Sequence, residues 1–363
     1  MAPAGKKTSK NKSSEDNNNN NDNHRDGDGV PDALLENQRT RVTVGNSGNE
    51  NTRGVYYSGA YTSLGYDNSF SLEKFKKNFK IKVLSDQPEH LVFEMIGVDA
   101  PIANALRRIL ISEIPTMAIE RVYMINNTSI LQDEVLAHRL GLIPIKVDPS
   151  KFNYKQPNKE YTAEDTIIFS LKVKCYRDQK TGEIVNETVY SKDLKWVPTE
   201  DQQEIFDEDD KPRPAVDDIP IVKLRPGQAL EVQCYCEKNI GREHIKWSPV
   251  GTASYKIMPL ITVSPKVTGE KAEKLKNSCP MKVFDIEDSG QAFAARPLNC
   301  TMCRECIRDP EMEPLVKLER IRDHFIFSIE SVGTLEPKSL FKQAIQILID
   351  KCVTVENSLR SNV

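Results

Sequence analysis

Apolar and polar residues begin to alternate with a clear period near Phe70. Phe75, Phe79, Ile81 and Val83, then Leu91, Phe93 and Met95, stand at every second position or a multiple of it. Asp86-Gln87-Pro88-Glu89 lies between the two runs. Side chains of a strand point alternately to its two faces, so this pattern predicts a β-hairpin. Asp99 is a helix N-cap residue type, and Pro101 falls in the first turn, where no N–H is needed. Beyond it Ile102, Ala105, Leu106, Ile109 and Leu110 repeat with the helical period, while Asn104, Arg108 and Ser112 lie opposite. The spacing predicts an amphipathic helix to Glu113, stopped by Pro115.

The pattern from Met117 to Ile125 is strand-like, followed by a turn at Asn126–Ser129 and a short helix over Asp133–Leu140, with Gly141 expected as its left-handed cap. Residues 165–175 and 184–190 suit a second hairpin around Thr181-Gly182, and the acidic, proline-containing stretch 199–218 suits a solvated loop. The last helix starts at Pro337. Leu340, Phe341, Ala344, Ile345, Leu348, Cys352 and Val355 recur on one stripe to about Ser358, roughly 33 Å at 1.5 Å per residue. A stripe of that length needs a long apolar partner, supplied either within the chain or by another subunit.

Composition changes the picture mainly at the N-terminus. Residues 1–50 are rich in Asn, Asp, Ser, Lys and Gly, with a run from Asn17 to Asn21. Such a stretch buries too little apolar surface to offset the entropy of ordering, so it is expected to be disordered, with order beginning near Phe70. Lys6, Lys7, Lys10 and Lys12 suit either a nuclear-import signal or a solubilising tail. The chain of 363 residues has a net charge of −3, so no basic field points to direct nucleic-acid binding. No apolar run has the length of a membrane span or the form of a signal peptide, which places the protein on the cytosol–nucleus side. The glycosylation patterns at Asn126–Ser129 and Asn186–Thr188 are then chance matches, and the eight cysteines are thiols or metal ligands rather than disulfides.

Catalytic motifs are missing. His24, His90, His138, His244 and His324 have no nucleophile or metal-ligand partner at a recognised spacing, and there is no phosphate loop, nucleophile elbow or HExxH. Asp133-Glu134 suits a helix N-terminus, where the dipole attracts acids. The cysteines say more. Cys300, Cys303 and Cys306 form a C-x2-C-x2-C run, and Cys279-Pro280 lies upstream. A triplet with that spacing plus a separate Cys-Pro can supply four thiolates to one 4Fe–4S cluster. Zinc, which commonly uses two separated C-x-x-C knuckles, and a vestigial set of free thiols are the alternatives. Asp309-Pro310 stands where a further Cys-Pro would follow, so at most one cluster is expected. Cys234 and Cys236 alternate on one strand face and read as structural, as do Cys175 and Cys352.

The run Gly97-Val98-Asp99-Ala100-Pro101-Ile102-Ala103-Asn104-Ala105-Leu106-Arg107-Arg108-Ile109-Leu110 resembles the alpha motif of RNA polymerase alpha-type subunits. The likeness continues through Glu113–Glu120, Asn127–Ser129 and Asp133–Pro144 and spans roughly residues 70–363. Within the family the chain looks most like the larger alpha-like subunit shared by RNA polymerases I and III, on Met117–Glu120 and Lys246–Tyr255. The polymerase II counterpart and the archaeal relative are the nearest rivals.

The resemblance implies an α+β fold of interleaved parts. After a tail over 1–69, a dimerisation domain would be built from 70–114 and 316–363, around an inserted α+β domain at 115–265 and a ferredoxin-like cysteine module at 266–315. Ile102, Leu106, Ile109, Leu110, Leu340, Phe341, Ile345 and Leu348 would form the face toward a smaller alpha-like subunit. Arg107 and Arg108 would meet the second-largest subunit, with His138-Arg139 as a further contact, since a guanidinium suits carboxylates and carbonyls at an interface. Small zinc-binding subunits would dock nearby, and Cys279, Cys300, Cys303 and Cys306 would hold the cluster in a structural role. The implied function is a non-catalytic assembly platform in the nucleus, nucleolus included, for enzymes that make ribosomal RNA precursors, 5S rRNA and tRNA. An iron–sulfur electron-transfer protein is the rival from another class. It would leave the match over 70–144 and the long C-terminal stripe unexplained.

Overall fold

Leu91, Phe93 and Met95 lie directly across from Ile329, Phe327 and Phe325 in an antiparallel ladder, and all six side chains are buried. The computed structural model describes residues 32–52, 62, 67, 69–199, 202–207 and 210–361. Strand His90–Ile96 pairs with Lys80–Asp86 on one side and with the 16-residue strand Val316–Ser331 on the other. Val250–Val263 runs along the opposite edge of Val316–Ser331, and Arg41–Val44 with Asn49–Glu50 completes the sheet. Because alternate residues share a face, the aromatic set presents one apolar surface. Helices Ala100–Ser112 and Pro337–Ser361 contribute to the same cluster through Ala103, Leu106, Ile109, Leu110, Leu340, Phe341 and Ala344. Phe93 stacks on Phe327 at 5.3 Å between ring centroids, so the two central strands meet ring to ring.

Several expectations are corrected here. Order does not begin at Phe70. Helix Asp32–Thr40 and strand Arg41–Val44 lie inside the stretch read as disordered, and the strand is held because it completes a long neighbour. The lysine cluster at 6–12 and the asparagine run lie outside the described residues. Phe75 and Phe79 belong to helix Leu72–Asn78 and its C-cap, where they stack at 5.3 Å. Four residues apart suits a helix turn as well as a strand face, and the Ser71 side chain, accepting from Lys74 N, tips the choice. Strand Val250–Val263, grouped by sequence with the inserted domain, is hydrogen-bonded into the first sheet.

The second sheet has the order Lys195–Val197, Thr166–Lys174, Ala229–Ile240, Pro115–Asn127. Ile119, Phe169, Leu171, Val232, Cys234 and Cys236 pack there with Leu136 and Leu140 of helix Asp133–Gly141. Gly141 is the last helical residue, not a left-handed cap, and Leu142 follows with φ −86°. The hairpin around Gly182 shrinks to Tyr176–Arg177 against Ile184–Val185, because Thr188–Tyr190 pairs with Pro220–Lys223 instead. The acidic segment is anchored rather than fully solvated. Gln202 is buried and donates to the carbonyls of Ala163 and Thr166, Phe206 is buried, and Arg213–Pro214 pairs with Ile145–Lys146.

Two glycines let these parts approach. A Cβ on Gly97, which has φ +78°, would lie 2.8 Å from the Asn78 backbone, and one on Gly241 would lie 2.4 Å from the Ile111 carbonyl oxygen. Arg242 N donates to Ser112 O beside Gly241, so the second sheet is tied to the end of helix Ala100–Ser112. A third, smaller core joins Val44, Val267, Ala272, Leu275, Phe284 and Leu318 with Cys306. It is built from helix Glu270–Ser278 and the hairpin Phe284–Ile286/Ala292–Ala294.

Candidate functional site

The C-terminal helix changes character along its length. Leu340, Phe341 and Ala344 are buried, Ile347 and Leu348 are partly covered, and from Ile349 to Ser361 every helix residue is exposed. Lys351 pairs with Glu113 at 2.5 Å, which ties the middle of this helix to the end of Ala100–Ser112. Ile345, Ile349, Cys352 and Leu359 continue one stripe at i, i+4, i+7 and i+14, flanked by Val353 and Val355. An exposed apolar stripe that continues past the core is a candidate interaction surface.

Of the eight residues expected at a subunit interface, Leu106, Ile109, Leu110, Leu340 and Phe341 are consumed by the chain's own core. Ile102 at 43% and Ile345 at 38% are exposed, and Leu348 is partly buried. Burial goes to the first half of the stripe because only that half lies over the sheet. Ile349 and Leu359, on the same period, and Val353 on its flank are exposed as well and lie outside the expected set. Cys352, read as a buried structural thiol, is exposed on this face.

Arg107 is half-buried and donates from Nε and Nη2 to Asn104 Oδ1 at 3.1 and 3.0 Å, one helical turn back. Arg108 is exposed. Arg139 is used within the chain. Its Nε donates to Ile221 O at 3.0 Å and its Nη2 to Pro220 O at 2.7 Å, while His138 is exposed. Asn127 donates to Asp133 Oδ1 at 2.7 Å, and Asp133 and Glu134 lie in the first turn of their helix. His90 meets Ser328 Oγ at 2.9 Å across two strands, a pair no sequence spacing reveals. No carboxylate bonds its other ring nitrogen among the described residues, so the pair lacks the third group of a triad.

Cys279, Cys300, Cys303 and Cys306 line one small cavity together with Phe284, Met281 and Leu318. Met302 at φ 57° and Arg304 at φ 70° lie between the cysteines of the triplet, so two non-glycine residues in the left-handed region wind this loop. Backbone N–H groups already face two of the sulfurs: Met302 N lies 3.4 Å from Cys300 Sγ and Val283 N 3.5 Å from Cys279 Sγ. Burial pushes the Cys300 thiol up and Cys306 up to about 12. Among the described residues no three His, Cys, Asp or Glu side chains stand in a metal-ligating arrangement. The four thiols therefore converge without forming a finished ligand cage. Cys234 and Cys236 are buried in the second sheet's core, and burial drives Cys234 up to about 12 and Cys236 well above the ordinary thiol value.

Two helices thus back the first sheet, and the second leaves its outer half uncovered. The profile described as the RNA polymerase Rpb3/Rpb11 dimerisation domain matches residues 92–352, and the chain belongs to that family. The DNA-directed RNA polymerases I and III subunit rpac1 of Dictyostelium discoideum is 70% identical over 336 residues, covering 92% of this chain and 97% of the relative. Subunit RPAC1 of the same two polymerases from Mus musculus is 44% identical, covering 88% and 94%. The DNA-directed RNA polymerase II subunit rpb3 of Dictyostelium discoideum is 31% identical, covering 80% and 98%.

Proposed function

We propose that this chain is the larger alpha-like subunit of DNA-directed RNA polymerases I and III and acts as a non-catalytic assembly platform. The observation that carries the reading is a contrast within one organism: 70% identity to the polymerase I and III subunit of Dictyostelium discoideum against 31% to its polymerase II counterpart. The exposed stripe Ile345, Ile349 and Leu359, with Val353 on its flank, pairs with a smaller alpha-like subunit. The heterodimer receives the second-largest subunit, with Arg107 and Arg108 as contacts, and small zinc-binding subunits dock beside it. Nucleic acid is met only through the assembled enzyme, in the nucleus and nucleolus, in the synthesis of ribosomal RNA precursors, 5S rRNA and tRNA. Coexpression with the smaller alpha-like subunit tests the pairing. The wild-type chain should give a 1:1 complex, and Ile349→Glu with Val353→Glu should abolish it. Undiminished pairing in that double variant would contradict the proposed face.

We further propose that Cys279, Cys300, Cys303 and Cys306 hold one 4Fe–4S cluster, with zinc as the alternative occupant. The donor set fits, since four thiols share one cavity with N–H groups aimed at two sulfurs, and such hydrogen bonds suit thiolate ligands. When bound, the group would cross-link the triplet loop to the end of helix Glu270–Ser278, a structural role. Iron and sulfide analysis after anaerobic reconstitution tests it: about four of each per chain are expected, and their absence would leave zinc or free thiols. The electron-transfer reading leaves the uncovered helix face without a purpose.

A further inference from the structure

The cysteine loop is held from outside its own module. Strand Arg41–Val44 pairs antiparallel with Val316–Ser331 at Arg41↔Ile321, Val42↔Arg320 and Thr43↔Glu319. It lies beside the stretch left uncovered by His90–Ile96, whose pairing spans His324 to Glu330. Gly45 N donates to Gly48 O at 2.8 Å, closing a turn that brings Asn49–Glu50 back against Thr43 and Val44. Val44 is only 4% exposed and sits in the same apolar cluster as Cys306, Leu318 and Phe284. Asn49, paired with Val44, accepts a hydrogen bond on Oδ1 from Arg304 Nη2 at 3.1 Å. Arg304 is the left-handed residue between Cys303 and Cys306.

We infer that the hairpin Arg41–Glu50 is a clip that positions the cysteine loop, with Val44 as its buried anchor and Asn49 as a positioning residue acting through Arg304. A loop wound through two left-handed non-glycine residues keeps that shape only where its surroundings over-determine it. The clip supplies two such constraints, one apolar and one polar, from a segment more than 200 residues away in sequence. Coupling between two sites is reciprocal, so a filled cysteine site also holds the clip more firmly in place. The metal arm of the inference rests on the cluster proposed above, and the thiol arm stands without it.

The test uses the full-length chain and its Asn49→Ala, Asn49→Asp and Val44→Ser variants. One readout is the alkylation rate of Cys300 and Cys306 by iodoacetamide in the metal-free chain, resolved by peptide mass, with exposed Cys352 as internal control. The other is the rate at which a chelator removes iron from chain reconstituted with ferrous iron and sulfide. Asn49→Ala should raise both rates about three- to tenfold, the effect of losing one ordinary hydrogen bond at the surface. Asn49→Asp should restore them, since a carboxylate accepts the same bond, and Val44→Ser should exceed Asn49→Ala. Cys352 should be unaffected in all of them. Wild-type rates in both Asn49→Ala and Val44→Ser would overturn the clip. If the wild-type chain takes up no iron, the cluster reading falls and the alkylation rates alone decide the clip.

Discussion

Phe341, at the second turn of the C-terminal helix, sits edge-on against Phe93 of the sheet with ring centroids 4.7 Å apart. That contact marks where the helix belongs to the chain's own core. Eight residues further on, Ile349 is 49% exposed.

Phe341→Ala should therefore destabilise the chain by about 3–5 kcal/mol, the cost of removing a buried aromatic ring. Ile349→Ala should leave the isolated chain within about 0.5 kcal/mol of wild type while weakening capture of the smaller alpha-like subunit. Urea denaturation followed by circular dichroism, beside a pull-down, separates the two effects.

The anchored acidic segment makes a second prediction. Gln202 donates to Ala163 O at 2.7 Å and Thr166 O at 2.8 Å from a fully buried position. Gln202→Ala should cost about 1–3 kcal/mol by leaving buried carbonyls without a donor. Limited proteolysis should cut faster between 202 and 212, which mass spectrometry of the fragments reads directly.

Thiol chemistry divides by burial. At pH 8 Cys303 and Cys352, both exposed, should react with an alkylating agent, while Cys234 and Cys236 stay unmodified until the chain unfolds. Burial drives Cys234 up to about 12, so almost none of it is thiolate at that pH.

The same shift has a sign in stability. Cys234 keeps its proton in the folded chain up to about pH 12, whereas the unfolded thiol loses its proton near 9. Between those values the unfolded state binds fewer protons, so stability falls as pH rises. Cys234→Ala should flatten the fall above pH 9, as denaturation midpoints at pH 8, 9 and 10 would record.

Strong periodic signals carried most of the fold. The helix from Ala100 and the one from Pro337 were legible because their apolar residues recur at helical spacing from a proline in or at the first turn. The hairpin of Lys80–Asp86 and His90–Ile96 was legible from alternation, but Phe75 and Phe79 were not, since four residues apart fits both periods. Strand Arg41–Val44 was hidden because its partner lies about 280 residues away and its neighbours are polar. The cysteine set was visible from spacing, whereas Asn49 beside Arg304 was not, since that contact depends on strand pairing. On the C-terminal helix, period identified the apolar stripe, but only packing shows that Leu340 and Phe341 face inward while Ile349 and Leu359 are exposed.

The most direct measurement is affinity purification of the tagged chain from nuclei under non-denaturing conditions, with the bound proteins identified by mass. The proposed function predicts the smaller alpha-like subunit together with the largest and second-largest subunits of both polymerases I and III. Recovery of polymerase II subunits alone, or of redox partners without any polymerase, would contradict it.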